Sequence, residues 1–485
     1  MTRVLRRGFR LSSINNISAR LFGFKIGRRE EIMTRIFKNS LLGLFIAALT
    51  ILSGGQAQAE KSVTLAQAVQ EALKHNPVLK AEAQAEKGQR EAIGEAQAAY
   101  FPQVSANYQN SVGNGFMGFF LFPGYISYDF ELLTVTLTEN IYDFGRREEA
   151  VAKSRWGFRK SRQHLQAVTQ KVIRNTEKAY YALLSAQHQE KAARQGLEDA
   201  RRHLDIAQNL FQKGEGIRLD VTQAEVNLET ARLNLIKVLE IRRNTQASLA
   251  RLLGMNPQKH ILNASDPAIL PRLTPIDLHH DVEFALKTRP DLKEMDRSVG
   301  QMKAAVAQAR DENLPRISGV AQYFLAQLPY GALPMPVVPN NSSFFSTYNV
   351  GGVVSIPIFE GGRLLHRMHE AHAKLRETEY RMDDARLRVE KDVVQAALKV
   401  ETSRQNWLVT QQALERAREN DRLVEQSFLV GGSRSLDVID AQTALRTSRE
   451  DAAKAKYTWA SAVTDYQYAL GSLKAPGIPG SGESR

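Results

Sequence analysis

The chain has 485 residues, no cysteine, and 65 Lys and Arg against 52 Asp and Glu, a formal net charge of +13. The missing cysteine excludes disulfides, thiolate metal sites and a cysteine nucleophile. Only 8% of residues are aromatic, and the excess of Ala, Gln, Glu, Lys, Arg and Leu favours long helices over a compact mixed core.

Much of the charge sits at the start. Residues 1–59 hold ten Lys or Arg and two Glu, a net of +8 that leaves +5 for the remainder. That mild balance gives no indication of a nucleic-acid partner. Arg35 and Lys38 precede the apolar run LLGLFIAALTIL (41–52), and Ala57-Gln58-Ala59 follows. This is the pattern of a secretory signal peptide starting at Met33 and cleaved after Ala59. Twelve apolar residues fall short of the roughly 20 that a membrane helix needs. No cysteine follows the cleavage site, so a lipoprotein anchor is excluded. No later run is apolar for 18 residues, which leaves β-barrel strands as the route into a membrane.

From residue 60 onward the chain is written twice. ALKHNPVLK (72–80) returns as ALKTRPDLK (285–293), and Pro102 and Ser105 answer Pro315 and Ser318, all at an offset of 213. IYDFGR (141–146) pairs with IFEGGR (358–363) at 217, which then holds for Phe211/Phe428, Gly214/Gly431, Asp220/Asp437 and Arg232/Arg449. The expected organisation is an extension with signal peptide (1–59), a first repeat (60–270), a second repeat (271–471) and a flexible tail (472–485).

Each repeat opens with a short helix, beginning near Thr64 or Asp281 and broken by HNP or TRP. A second helix (79–99, 292–313) ends before Pro102 or Pro315. Two strands follow, about 102–112 and 130–140 in the first repeat, 316–326 and 347–358 in the second. Leu133, Val135 and Leu137 alternate with Thr134, Thr136 and Thr138. Such strands suit a membrane barrel, and equally a sandwich edge. The segments 113–127 and 327–345 read as loops. GNGFMG (113–118) matches GxGxxG, but no helix follows it to face a phosphate, so no nucleotide site is expected.

The longest elements come next. From Arg146 to Lys213 there is no proline, and from Arg363 to Val430 neither proline nor glycine. Small or apolar residues recur at steps of three and four, as in Leu165, Val168, Val172, Ala179, Ala182, Ala186 and Ala193, then Leu197, Ala200, Leu204, Ala207 and Phe211. The spacing predicts coiled-coil helices in close approach. Each stops at a glycine and turns into a return helix (220–253, 437–470), which makes long hairpins over 146–254 and 363–471.

Twice-written helix–strand–strand–long helix–turn–helix order, with TLAQAVQEALKHNP (64–77), PIFEGGR (357–363) and VGGSRSLDVIDAQ (430–442), resembles the TolC family of outer-membrane channels across residues 62–471. The resemblance implies a mainly α fold with membrane β: a homotrimer in which four strands per protomer complete a 12-stranded barrel in outer-membrane lipid, and helices form a periplasmic tunnel. It implies an exit duct for tripartite export, working with a periplasmic adaptor and an inner-membrane ABC or RND-type transporter. The 64–105 region is most like type I secretion members, with small-molecule efflux the other use of such a duct. The alternatives are a periplasmic adaptor or a coiled-coil envelope protein without a pore.

The resemblance also assigns residues. Asp437 and Asp440 match acidic residues that narrow the pore entrance, and three copies of each would form two rings. Helix N-capping is the other role open to Asp437; Asp440 lies too far into the helix for that. Phe428 stands where the family has a hydroxyl-bearing gate residue, and Arg434 is displaced by one position from the family's arginine near this turn. The family's closing hydrogen bonds therefore do not transfer directly. Gly214, Leu219 and Asp220, with Gly431 and Leu436, match the tips that dock the adaptor. Catalysis, cofactors and a resident metal are not expected. His366, His369 and His372 recur at three-residue steps that drift around a helix, without the HExxH pattern.

Overall fold

The computed structural model describes residues 61–119, 122–266, 275–327 and 344–474. The extension and signal segment, most of the expected loop at 327–345, and the tail beyond 474 lie outside the described residues. Among the described residues no helix is long and apolar enough to cross a membrane.

Helix α1 (Leu65–His75) begins at Thr64, whose hydroxyl accepts from Gln67 N (3.3 Å) while Gln67 Oε1 accepts from Thr64 N (3.0 Å). This reciprocal box satisfies two free donors of the first turn. Asn76 then caps α2 (Pro77–Gln97) and donates to Leu252 O at 2.8 Å, fixing the break against the end of the first return helix. In the second repeat the short helix α5 (Leu278–Thr288) is capped by Asp277, four residues before the expected start at Asp281. The side chain of Asp281 instead lies in the first turn and bonds Asp277 N and the Tyr466 hydroxyl. Helix α6 (Pro290–Asp311) follows.

A short parallel pair, β1 (Lys61–Val63) with β4 (Leu262–Ala264), joins the two ends of the first repeat. The two repeats share one four-stranded antiparallel sheet, ordered β2 (Gln103–Phe119), β3 (Phe122–Tyr142), β5 (Arg316–Gln327), β6 (Phe344–Ser355). Strands β2 and β3 run well beyond 112 and before 130, so most of the expected loop 113–127 is paired strand, and the glycines of GNGFMG sit within β2. That motif contains no proline, and alternating small and large residues can sit in an antiparallel ladder. Strand β6 runs three residues earlier than expected, ending at Ser355 before Pro357, which cannot donate to a ladder.

Register sorts the sheet's faces. Tyr108, Leu133, Leu325 lie in one row, and Val135, Tyr323, Tyr348 in another on the same face. The opposite face carries Thr136, Gln322 and Asn349, joined by hydrogen bonds of 3.5 and 3.2 Å. One face is apolar and the other polar, with β2 and β6 as open edges.

Helices α3 (Arg146–Gln212) and α7 (Arg363–Leu429) have 67 residues each, about 100 Å at 1.5 Å per residue. Their partners are α4 (Arg218–Leu252) and α8 (Ser435–Ala469). Both long helices start behind a left-handed glycine, Gly145 and Gly362. Helix α3 packs on α4, α6 and α8, which joins the repeats along their length. The core is small-sided: Ala186, Ala193, Ala200 and Ala207 on α3 and Val389, Val393, Ala397 and Val400 on α7 are buried. Two residues of the expected stripe depart from it. Ala182 is exposed, and Phe211 is 44% exposed although its counterpart Phe428 is buried.

Candidate functional site at the paired hairpin tips

Each long helix ends in a turn that needs a residue at positive φ, supplied by Gly214 and Gly431, both at φ +78°. Glu215 N bonds Leu210 O (2.9 Å) in one turn and Gly432 N bonds Ser427 O (2.8 Å) in the other. These six-residue closures satisfy carbonyls the helix end leaves free. A Cβ on Gly432 would stand 2.7 Å from Ser427 Oγ, so a side chain there would have to displace that hydroxyl.

The two tips face each other across a groove of about 620 Å³, whose lining includes Leu219, Asp220, Phe428, Gly431, Arg434 and Leu436. Six of the residues singled out from sequence thus come together. Gly214, Asp437 and Asp440 are not part of that lining. Leu219 and Leu436 present exposed apolar side chains beside the turns.

Asp437 is the third residue of α8, whose N-cap is Arg434. Its carboxylate accepts from Arg434 N (2.9 Å) and pairs with the guanidinium at 3.1 Å. A guanidinium has no acceptor, so only this half of a capping box forms. The Arg434 side chain, then its backbone N–H, holds the Asp437 carboxyl below its ordinary pKa. The displaced arginine is therefore engaged with the first aspartate. Asp440, one turn further on, is exposed. Asp220 lies in the first turn of α4, whose N-cap is Ile217.

The contact closing the back of the groove involves two residues that the sequence reading did not single out. His203 of α3 is 2% exposed, and its Nε2 lies 2.9 Å from Ser435 Oγ, itself fully buried at the start of α8. The Phe428 ring packs on the imidazole at a centroid distance of 5.3 Å. Burial lowers the His203 pKa, while the nearby Asp220 carboxylate pulls it up more weakly. The neutral ring is favoured. A signal existed in the sequence: the repeat breaks here, since His203 and Ser435 correspond to Asn420 and Arg218.

Further up the seam Asp199 of α3 meets Arg449 of α8 (3.5 Å) and pairs with Arg202. Asp421 of α7 is pushed up by burial, with Asp199 and Glu425 adding to the effect. His366, His369 and His372 are exposed on α7, and no group of three metal-capable side chains converges among the described residues.

The sequence profile described as Outer membrane efflux protein matches residues 68–255 and 282–472, one stretch per repeat. AprF, the alkaline protease secretion protein of Pseudomonas aeruginosa, is 23% identical over 71% of this chain and 70% of its own. The outer membrane protein TolC of Escherichia coli is 23% identical over 89% of this chain and 86% of its own. CyaE of Bordetella pertussis is 26% identical over 67% of this chain, and the match spans 66% of its length, just under two thirds. The solved CmeC outer membrane channel of Campylobacter jejuni has the same fold, with a TM-score of 0.72 and 20% identity over 85% of this chain and 87% of that one. The resemblance read from the duplicated motifs stands, and the chain belongs to the outer membrane efflux protein family, a family of outer-membrane channels rather than enzymes.

Proposed function

We propose that the protein works as a homotrimeric exit duct of a tripartite export system, carrying cargo across the outer membrane. The observation that carries this reading is the four-stranded sheet with one apolar face, one polar face and two open edges. Four strands cannot close on themselves, and an open edge cannot lie in lipid with its backbone groups unpaired. Three copies give twelve strands, an apolar outer wall and a polar lumen. Residues 33–59 serve export of the precursor, with the mature chain beginning at Glu60.

The hairpin tips are the entrance. Leu219 and Leu436 flank a groove open to a partner's side chains, which suits a periplasmic adaptor; an inner-membrane ABC or RND-type transporter supplies the energy. Asp437 and Asp440 contribute stacked carboxylate rings in the trimer, which favour cations at the constriction. The cargo reading is type I protein secretion. The secretion role in AprF's name and the 64–105 likeness support it over small-molecule efflux.

Membrane fractionation and gel analysis test the reading. The expected result is a cleaved protein in the outer membrane that migrates as a trimer before heating. A soluble monomer in the periplasm would refute it.

A further inference from the structure

We infer that the neck of the duct, where strands give way to helices, carries a binding site for an oxyanion. Its ligand is a phosphate or carboxylate group, held by two arginines that have no carboxylate partner of their own. The inference rests on the reading of the polar sheet face as lumen and adds a site to it.

A groove of about 300 Å³ lies where the end of α6, the foot of the sheet and the start of α7 meet. Its charged lining is Arg146, Arg316 and Arg363 against Glu312 and Glu360. Both carboxylates are already matched. Glu360 pairs with Arg363, and Glu312 with Arg367 of α7 at 2.7 Å. That leaves Arg146 and Arg316 without an ion-pair partner among the described residues.

Arg146 is fixed in place by neutral groups. Its Nε donates to Asp311 O (2.8 Å), and its Nη2 to Glu312 O (2.8 Å) and Leu314 O (2.5 Å). These bonds use three of the five guanidinium donors and leave the two on Nη1 for a ligand. The side chain is half-buried and keeps its full charge. Arg316, two residues beyond Leu314, opens β5. It is exposed and makes no hydrogen bond or ion pair among the described residues.

Strand register fixes the side on which the groove lies. Arg316 stands opposite Ser355 at the foot of the sheet. Gln322 and Asn349, which belong to the polar face, are each an even number of residues away on the same strands. Alternation therefore places Arg316 and Ser355 on the polar face too. Because β5 is flanked by β3 and β6, Arg316 stands clear of both sheet edges. In the duct this face lines the channel, so the groove is open to solutes in the lumen and not to lipid.

Three copies set three such grooves around the neck. Rings of arginine favour anions, and each guanidinium fork matches two oxygens of a carboxylate or phosphate. The acidic tips lie at the far end of α7, about 100 Å away. That is many times the ~8 Å over which salt screens exposed charges, so the two sites act independently.

Single-channel recording with sodium tripolyphosphate as the probe tests the site. Added on the barrel side, tripolyphosphate should block the wild-type current. Arg316→Gln should raise the half-blocking concentration about tenfold, the loss of one charged hydrogen-bonding group. Arg316→Lys, which keeps the charge, should retain part of the block, and Asp437→Asn with Asp440→Asn should retain all of it. The block should be the same in phosphatidylcholine and phosphatidylglycerol membranes. A conducting channel whose block is unchanged by Arg316→Gln overturns the site and leaves the duct reading intact. A block abolished by phosphatidylglycerol would put a lipid headgroup in the groove and overturn its lumen placement. A protein that forms no channel overturns the inference together with the reading beneath it.

Discussion

His203 Nε2 and Ser435 Oγ lie 2.9 Å apart, joining the long helix of the first hairpin to the return helix of the second at their tips. The pair is buried, so separating the hairpins must rehydrate both groups. Asp220 of α4, Ser435 of α8 and Phe428 of α7 are the groups recorded around the ring. Of these only Asp220 is charged, and it offsets burial in part.

Acid should therefore loosen the tips. With its pKa lowered by burial, His203 gains its proton more readily when the hairpins separate, where it returns toward the ordinary value of about 6.5. The closed arrangement is fully favoured above that value and loses ground as pH falls through it toward the lower closed-state pKa. Channel opening in planar bilayers should rise between about pH 7 and pH 5, and His203→Gln should flatten that rise. An unchanged pH profile in the variant would remove His203 from the gate.

Phe428 should matter more than its counterpart. Phe428 is 8% exposed and Phe211 44% exposed. Truncating a buried phenylalanine to alanine costs about 3 kcal/mol, and here the loss falls on the contact between hairpins. Phe428→Ala should raise resting conductance, while Phe211→Ala should leave it near wild type. Equal effects would contradict this asymmetry.

The two aspartates should separate in their effects. Asp437 braces the first turn of α8 through Arg434, and its lowered pKa keeps it ionised as pH falls below the ordinary carboxylate value. The brace is present above about pH 4 and is lost only as pH drops through the lower folded value. Asp437→Asn should both weaken cation selectivity and loosen the tip, seen as faster hydrogen exchange over residues 434–440. Asp440→Asn should weaken selectivity alone. Selectivity unchanged in the double variant would refute the acidic rings.

Docking can be tested apart from folding. Leu219 and Leu436 are exposed in the chain, so Leu219→Asp and Leu436→Asp should leave trimer stability within about 0.5 kcal/mol of wild type. Export in cells and cross-linking to the adaptor should fall sharply in both. Normal export in the double variant would move the docking surface elsewhere.

Much of the fold was legible because duplication doubles the evidence. Gly214 and Gly431 mark both turns, and the glycine-started helices at Arg146 and Arg363 begin where expected. Strand ends were harder to read. Nothing in Gly113–Phe119 distinguishes loop from ladder locally, because pairing with Phe122–Tyr128 decides it. Helix α5 starts a turn earlier than expected because Asp277, not Asp281, caps it, and the Asp281 carboxylate accepts from Asp277 N in the same turn. His203 escaped for another reason. A histidine on a coiled-coil face looks solvated until a serine 232 residues away is folded against it.

The central claim is that three copies close one duct, and single-channel recording of the purified protein in planar bilayers tests it most directly. The account predicts a long-lived, cation-selective conductance that Asp437→Asn with Asp440→Asn makes less selective. Protein that inserts no channel and purifies without lipid or detergent as a monomer would contradict it.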